Sequence, residues 1–488
     1  MGVLLPSELM SMVLEYVIDS QENPHLGLYA TINRYWQAIV GKRTFSVINI
    51  NTAKRLTEFR QLPWNYRTSF VRKINLLVEL ESYYGEARTR YETEEEMQRN
   101  SKIFTGAIHS LFNTLATWPE NEVGISLSIQ AQSPGDTGAT TDEACEERHQ
   151  AYLTDDLLNK RFERSYLHFD ESIGVKCAAV PIITTLTIGL CIRKIEPASS
   201  SLIASKLPRL YNLHLYLSDA CKWDPELRKR HRNNFANSLH LWLSSVCELT
   251  IDFCHIPPSD ENYPPTILTA EGNTDPLSLG LRNFSQQLTG MAGTRCVLGK
   301  EFFWPLKDNN LQLPFWPHLN YVYLTYVPVT PSGKWLFEKE EPARDEDDGY
   351  DSDYPSSIYD DMEDIDKYWI FPEDRKFKSI RTKFNHELFN EFYISAGKAA
   401  LRMPKLKYIK LGTSNCEKHE FEYLVEGGVA KATWSNSCKR TSFQPWEQET
   451  RRAKAISAFH PNNHVLQLWN QVASEHTGGG LEVEIAPL

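Results

Sequence analysis

Ile183-Thr184-Thr185-Leu186-Thr187-Ile188 is the stretch from which the fold of this chain can be predicted. Its spacing, apolar-x-x-apolar-x-apolar, returns further along the chain, and the later copies begin at Leu210, Val246, Leu319 and Leu406. An earlier copy begins at Val71. Alternation with period two places apolar side chains on one face of a strand. The pattern therefore predicts a set of short strands, each with one face in a core.

The spacing between these strands decides which α/β architecture is expected. An x-x-L-x-L strand is the signature of leucine-rich repeats, whose units span about 20 to 29 residues. Here the starts differ by 27 residues (183 to 210), 36 (210 to 246), 73 (246 to 319) and 87 (319 to 406). The sequence predicts an irregular, heavily inserted repeat solenoid. An unrelated α/β fold stays open, because such strands also occur there.

A candidate substrate-binding face follows from the same strands. In a repeat solenoid the strands line one surface, and the side chains between the inward apolar residues project from it. The residues between the last two apolar positions are Thr187, His214, Thr250, Tyr323 and Lys410. They are predicted to bind the substrate. The alternative is that they are ordinary solvent-facing strand residues, since polar residues are mostly exposed.

The N-terminal residues carry an unusually wide apolar helical stripe. Pro6 suits the first turn of a helix, and Glu8 lies where the helix dipole favours a carboxylate. Leu9, Val13 and Val17 then recur every four residues. We expect three short helices within residues 1–50, and so small a unit cannot bury all its apolar surface. The excess requires a partner, either the rest of the chain or another protein.

Residues 1–50 resemble an F-box of the kind found in filamentous fungi. The resemblance is carried by Leu5-Pro6-Ser7-Glu8-Leu9, by the segment 29–37, and by the tail with Phe45 and Val47. Segments 330–337 and 396–404 resemble the same group. An F-box implies three helices that dock on a Skp-type adaptor, which links the protein to a cullin. The alternative is a three-helix cap on the following domain.

The resemblance implies the substrate-recognition subunit of an SCF-type, cullin-based ubiquitin ligase, with the C-terminal domain binding a protein target. The implied adaptor-binding residues are Leu5, Pro6, Glu8, Leu9, Val13 and Trp36. An F-box scaffold with no role in degradation is the alternative, and an unrecognised enzyme is a third class. Ubiquitin transfer needs a catalytic cysteine or a RING, and the spacing for neither is visible. We therefore expect binding rather than catalysis.

The predicted fold class is mixed α/β, an N-terminal three-helix F-box followed by an irregular leucine-rich-repeat-like domain. The boundaries are 1–50 for the F-box, 51–337 for the first part of the large domain, 338–366 for an acidic insertion, and 367–488 for the remainder. The insertion has 14 acidic and two basic residues, a net −12, so the rest of the chain carries about +1 (−11 minus −12). Dense like charge predicts disorder. The acidic insertion is expected to be either a solvated segment or a binding segment for a basic partner.

Other motifs exclude several classes of function. The segment Ser332-Gly333-Lys334 lacks the glycine spacing of a phosphate loop, and His386-Glu387 lacks the second histidine of a zinc protease. We expect no cofactor and no metal. The basic run 228–232 is predicted to be a solvated helix face, so no nucleic acid is expected. The pairs Cys254-His255 and Cys416 with His419 are predicted to be buried thiols beside surface imidazoles.

The cysteines and the hydropathy pattern bear on location. Nine cysteines are scattered without a Cys-x-x-Cys, which favours reduced thiols inside the cell. No apolar run approaches about 18 residues, so no membrane helix is expected. The N-terminus has no basic segment followed by a long apolar one, unlike a secretory signal. The predicted location is the cytoplasm, the nucleus or both.

Overall fold

A computed structural model of the protein describes most of the chain, with gaps. The described stretches are residues 26–84, 90–120, 123–136, 161–170, 177–189, 193–219, 224–258, 261–269, 274–306, 313–339, 383–413, 419–436 and 459–487, with short pieces at 9–10, 12–13, 16–17, 87 and 381. Two compact units divide the chain. The first comprises Met1–Tyr216 with Leu241–Val246, and the second comprises Leu217–His240 with Cys247–Leu488.

The first unit is α/β, with parallel strands that pair in the order of the chain. Its strands are β1 (Val47–Ile50), β2 (Lys73–Glu79), β3 (Ile125–Gln132), β4 (Ile183–Ile188) and β5 (Asn212–Ser218), the last two residues of which belong to the second unit. Its helices are α1 (Leu26–Ala30), α2 (Arg34–Ser46), α3 (Ala53–Gln61), α4 (Glu94–Leu115) and α5 (Pro197–Ala204).

The strands of this unit form because their apolar residues meet in register. Ile74, Leu127, Leu186 and Leu213 are aligned on successive strands, and each is fully buried. Helix α4 begins after Thr93 with a capping box, in which Thr93 and Glu96 each accept a hydrogen bond from the other's backbone amide. Its apolar stripe, Phe104, Ile108, Leu111 and Leu115, is also fully buried. The core therefore lies between one face of the strands and the helices.

The second unit is also α/β, and most of its neighbouring strands are parallel. Strands β6 (Glu248–Cys254), β7 (Gly290–Cys296), β8 (Tyr321–Tyr326) and β11 (Tyr408–Thr413) are parallel neighbours in this order. Strands β12 (Glu420–Glu426) and β13 (Val429–Asn436) follow as an antiparallel hairpin, and β14 (Leu481–Pro487) runs parallel to β13. Strands β9 (Phe337–Glu338) and β10 (Lys383–Phe384) pair separately. The helices are α6 (Pro225–Ser238), α7 (Pro276–Ser285), α8 (His386–Ala400) and α9 (Asn463–Thr477).

The mixed α/β prediction is confirmed, and every copy of the apolar spacing that the sequence showed is a strand. Strand β7 was missed, and it occupies the long interval between residues 246 and 319. Gly293 stands in β7 where the paired strands carry Ile251 and Leu324. A Cβ atom at Gly293 would lie 2.7 Å from Leu324 Cδ2, so the neighbouring leucine fills the place of a missing side chain.

The prediction for the basic run 228–232 is wrong. Arg228, His231 and Arg232 are buried, at 3%, 5% and 0% exposure, and only Arg230 of the three arginines is exposed. Arg228 and Arg232 of α6 lie toward the interior because buried carboxylates there supply the opposite charge. Arg232 pairs with Asp275, and Arg228 lies 3.8 Å from Asp219.

The predicted surface imidazoles are likewise wrong. His255 and His419 are each 1% exposed. The ring of His255 contacts Asp219 Oδ2 at 2.9 Å, and Tyr393 Oη lies 2.5 Å from His419 Nε2. One ring nitrogen of each histidine thus has a partner in the interior, although the buried Nε2 of His255 has none. Cys416, residues 340–366 of the acidic insertion and the start of the C-terminal part lie outside the described residues.

No helix in the described part of the chain is long and apolar enough to cross a membrane.

Candidate binding surfaces

The first candidate surface is an exposed apolar stripe near the N-terminus. The described pieces of residues 9–17 are helical, and Leu9, Met12, Val13 and Tyr16 have the i, i+3, i+4, i+7 spacing of one helix face. They are 46%, 63%, 46% and 77% exposed. We call these four residues the N-terminal stripe. It contains two of the predicted adaptor-binding residues, Leu9 and Val13.

The other predicted adaptor-binding residues have different placements. Leu5, Pro6 and Glu8 lie outside the described residues. Trp36 is half-buried, and its ring centroid lies 6.1 Å from that of Tyr29. Trp36 packs with Val40 in a small apolar cluster that joins α1 to α2. It therefore supports this helix pair, and a three-helix F-box is not evident in the part of the chain that the structure describes.

The second candidate surface is the outward side of the strands of the first unit. Thr187 and His214 are direct neighbours on β4 and β5. The row continues through Ser128 and Asn75 to Asn49, and Asn75 Nδ2 donates to Asn49 Oδ1 at 2.7 Å. We call this row of five residues the neutral face. Hydroxyl, amide and imidazole groups on it offer hydrogen-bond donors and acceptors, and the row contains no Asp, Glu, Lys or Arg.

The third candidate surface is the outward side of the strands of the second unit. Thr250 is paired with Ala292, Ala292 with Tyr323, and Tyr323 with Lys410. The structure therefore brings Tyr323 and Lys410 together and separates Thr250 from them by one strand. Lys410 Nζ lies 5.8 Å from the centre of the Tyr323 ring and 2.7 Å from Glu420 Oε1.

Charge interactions organise this surface. Partial burial opposes the charge on Lys410, but the hydrogen bond and charge of Glu420 outweigh it and raise the pKa of Lys410. Partial burial and the nearby Glu422 raise the pKa of the Tyr408 phenol. Tyr321 lies on β8, where it is paired with Tyr408 of β11. The Tyr321 hydroxyl donates a hydrogen bond to Glu248. We call the outward residues of β6, β7, β8 and β11–β14 the acidic–tyrosine face.

Sequence reasoning missed most of this face. It named only the position between the last two apolar residues of a strand, and so omitted Tyr321, Tyr408 and Glu422. The hairpin that places Glu422 beside Lys410 was also missed. Its signal was present, because two alternating runs flank Gly427-Gly428. Both glycines have positive φ, 60° and 81°, as the two central residues of a type I′ hairpin turn require.

The buried charged cluster of the second unit is a different kind of feature. Asp219, His255 and Arg232 are 0–1% exposed. Burial opposes the charge on Asp219, yet the contacts of His255 and the arginines keep its pKa below the usual range. Burial, with the two arginines nearby, lowers the pKa of His255 despite the opposing charge and hydrogen bond of Asp219. Side chains enclosed in this way are not accessible to a substrate.

Comparison with known protein families gives a match for one part of the chain. Residues 377–488 match the model of a family of unknown function (DUF6546). The match covers α8, the strands β11–β14 and α9, and so includes about half of the acidic–tyrosine face. No F-box or leucine-rich-repeat family matches. A search of curated proteins finds no match.

Proposed function

We propose that the protein is the substrate-recognition subunit of an SCF-type, cullin-based ubiquitin ligase. In this proposal, residues 1–50 act as an F-box that binds a Skp-type adaptor. The rest of the chain, an irregular leucine-rich-repeat-like domain, binds the target protein. The observation that carries the proposal is the N-terminal stripe, four large apolar side chains on one helix face that the described residues leave exposed.

Exposure of this kind supports a docking surface. Contiguous exposed apolar patches mark interaction sites on soluble proteins. Leu28 and Ile32, which are 68% and 58% exposed, add apolar surface in the same N-terminal region. Aromatic and aliphatic anchors that become buried supply most of the binding energy of such interfaces. The stripe fits the apolar helices that an F-box presents to its adaptor.

The strand order supports the repeat-like part of the proposal. In the first unit each strand pairs in parallel with the next one along the chain, from β1 to β5. Stacked repeats produce this order because each repeat contacts its neighbours in sequence. A polar outward face then spans several strands, and rigid strands present side chains at little cost in ordering entropy.

The mechanism is proximity. The N-terminal region holds the adaptor while the strand faces hold the target, so that target lysines stay near the ubiquitin-charged enzyme bound to the cullin. Tethering of this kind raises the effective concentration of the reacting groups to about the millimolar range. The chain itself contributes binding and orientation, and the chemistry belongs to the other subunits.

Co-purification tests the proposal directly. The full chain is expressed with a Skp-type adaptor and a cullin, and the recovered subunits are identified. Recovery of adaptor and cullin together supports a ligase subunit. Adaptor without cullin favours an F-box scaffold that has no role in degradation. Recovery of neither overturns the proposal. Immunoprecipitation with and without proteasome inhibition then identifies the target.

A further inference from the structure

We infer that the acidic–tyrosine face binds an extended, lysine- or arginine-rich segment of a partner protein. The inference rests on the proposed function in one respect, since it names the chemical class of the target. The surface itself is defined by contacts within the second unit alone.

The charge balance of the face is the first argument. Its outward carboxylates are Glu248, Asp252, Glu420, Glu422, Glu426, Glu482 and Glu484, and its bases are Lys410, Lys431 and Arg295. The net charge is therefore −4 (three minus seven). The strands of the neutral face, by contrast, carry Lys73 and Glu79 outward and so sum to zero.

The bases of the face are already neutralised. Lys410 pairs with Glu420, Lys431 with Glu484, and Arg295 with Asp252. Within the described residues, Glu422, Glu426 and Glu482 form no ion pair. Each of these carboxylates lies on the hairpin or on β14, in the part of the face farthest along the strand order. Lys431 lies opposite Glu482 and Lys410 lies opposite Glu422, but the carboxylates of this part outnumber its bases. A cationic partner would therefore meet excess negative charge there, and complementary charge favours both encounter and register.

The tyrosines are the second argument. Tyr321, Tyr323 and Tyr408 lie on the adjacent strands β8 and β11, and Tyr321 is paired with Tyr408. An aromatic ring attracts an ammonium or guanidinium group within about 6 Å of its centre. Lys410 already adopts this geometry toward Tyr323, at 5.8 Å. Tyrosine rings beside carboxylates form a surface suited to lysine and arginine side chains.

The geometry of strands favours an extended partner. Neighbouring strands lie about 5 Å apart, and an extended chain returns a side chain to the same side about every 7 Å. A segment that crosses β12 to β14 can therefore place successive cations near Glu422 and Glu482. The same carboxylates repel phosphate-bearing ligands, so the face excludes nucleic acid as the partner.

The experiment uses the full chain with the acidic residues of 340–366 replaced by Asn and Gln, because that segment would itself attract a cationic probe. The probe is a fluorescein-labelled (Lys-Thr)6 peptide, and (Glu-Thr)6 is its charge-reversed control. We expect saturable binding of the lysine peptide in fluorescence anisotropy, weakened by added salt. Glu422→Gln with Glu482→Gln should weaken binding about threefold to tenfold. Glu79→Gln, on the strands of the neutral face, is the matched control and should have no effect.

The outcomes separate this inference from the proposed function. Equal affinity for the double variant and the parent, or no preference for the lysine peptide, overturns the inference. Adaptor co-purification is measured on the same proteins. Loss of adaptor binding with retained peptide binding overturns only the proposed function, and the reverse result overturns only the inference. Thermal unfolding verifies that the double variant is folded.

Discussion

Arg232 and Asp275 form a two-pronged ion pair inside the second unit. Arg232 Nη2 donates to Asp275 Oδ2 at 2.7 Å, and Nε donates to Oδ1 at 3.2 Å. Asp275 also caps α7 by accepting from the Ser278 amide at 2.9 Å, and Arg232 donates to the Val297 carbonyl at 2.7 Å. Burial opposes the charge on Arg232, but Asp275 outweighs it and raises the pKa of the guanidinium. The pair therefore joins α6, the start of α7 and the segment after β7.

Replacing Arg232 should strongly destabilise the second unit. Arg232→Met leaves the Asp275 carboxylate buried without its cation, and breaking a buried pair in this way costs about 3–5 kcal/mol. Arg230→Met is the matched control because Arg230 is exposed on the same helix, and its effect should stay within about 0.5 kcal/mol. Urea unfolding measures the free energy of unfolding of both variants. Equal effects of the two substitutions would contradict the role given to the pair.

The basic run on α6 shows why the burial of a charged residue is hard to predict from sequence. The run predicts a solvated face because charge normally lies in water. Its partners, Asp219 and Asp275, are separated from Arg228 and Arg232 by nine and 43 residues. No local pattern links groups so far apart, and only the fold brings them together. The sequence shows the charge of a residue and leaves its counter-charge unknown.

Glu96 should give the stability of the first unit a distinct dependence on pH. Its carboxylate accepts from the Thr93 amide at 2.9 Å and pairs with Arg90 and Arg161 at 2.9 and 3.1 Å. Burial opposes the charge on Glu96, but these contacts outweigh it and lower its pKa to about 2, from 4.5. Because the pKa is lower in the folded state, the stabilisation is present above about pH 4.5 and is lost as the pH falls toward 2.

Glu96→Gln tests this dependence. At pH 7 the substitution should cost roughly 1–3 kcal/mol, since hydrogen bonds to a charged group are lost. The difference from the parent protein should shrink as the pH falls from about 4.5 to 2. Glu95→Gln is the control, because Glu95 is exposed in the same helical turn. Thermal unfolding at several pH values measures both, and a difference that does not change with pH would refute the assignment.

The strands show where apolar spacing suffices for prediction and where it fails. Copies with branched residues at the inward positions, such as Leu186 and Leu213, were predictable because burial demands apolar bulk there. Strand β7 places Gly293 at an inward position and takes its packing from Leu324 on the next strand. A residue without a side chain carries no hydropathy signal. Such a strand can be recognised only from the strands that pair with it in the structure.

The N-terminal stripe should be required for adaptor binding and dispensable for folding. Leu9→Ala with Val13→Ala removes two exposed anchors of the stripe, and truncating an interface hot spot costs about 2 kcal/mol or more. We therefore expect adaptor affinity to fall at least about thirtyfold. Val123→Ala, which alters an apolar residue 68% exposed elsewhere in the first unit, is the control. Calorimetric titration with purified adaptor measures the affinity. Unchanged affinity in the double variant would remove the support for an F-box.

The candidate target site was partly predictable. The alternation of each strand fixed which side of it faces outward, so Thr187, His214, Tyr323 and Lys410 were placed on the outward side. The cross-strand neighbours were not predictable, because pairing depends on strand order and register. Tyr408 and Glu422 belong to the surface only because β11 lies between β8 and β12. Their place on the surface is a property of the sheet.

The outward faces should bind the target, and one substitution in each unit tests this separately. His214→Ala alters the neutral face, and Tyr323→Ala removes the ring that lies against Lys410 on the acidic–tyrosine face. Buried aromatic anchors contribute much of the energy of an interface, so loss of Tyr323 should reduce target recovery about tenfold or more. The two substitutions together should reduce it further, while adaptor binding stays intact.

Tyr211→Ala is the matched control for this last test, since Tyr211 is 46% exposed and precedes β5. Target recovery is quantified by immunoprecipitation under proteasome inhibition, with adaptor recovery as the internal standard. A loss in His214→Ala alone would assign the target to the first unit, and a loss in Tyr323→Ala alone would assign it to the second. Unchanged recovery in the double variant would mean that the predicted positions are ordinary outward strand residues.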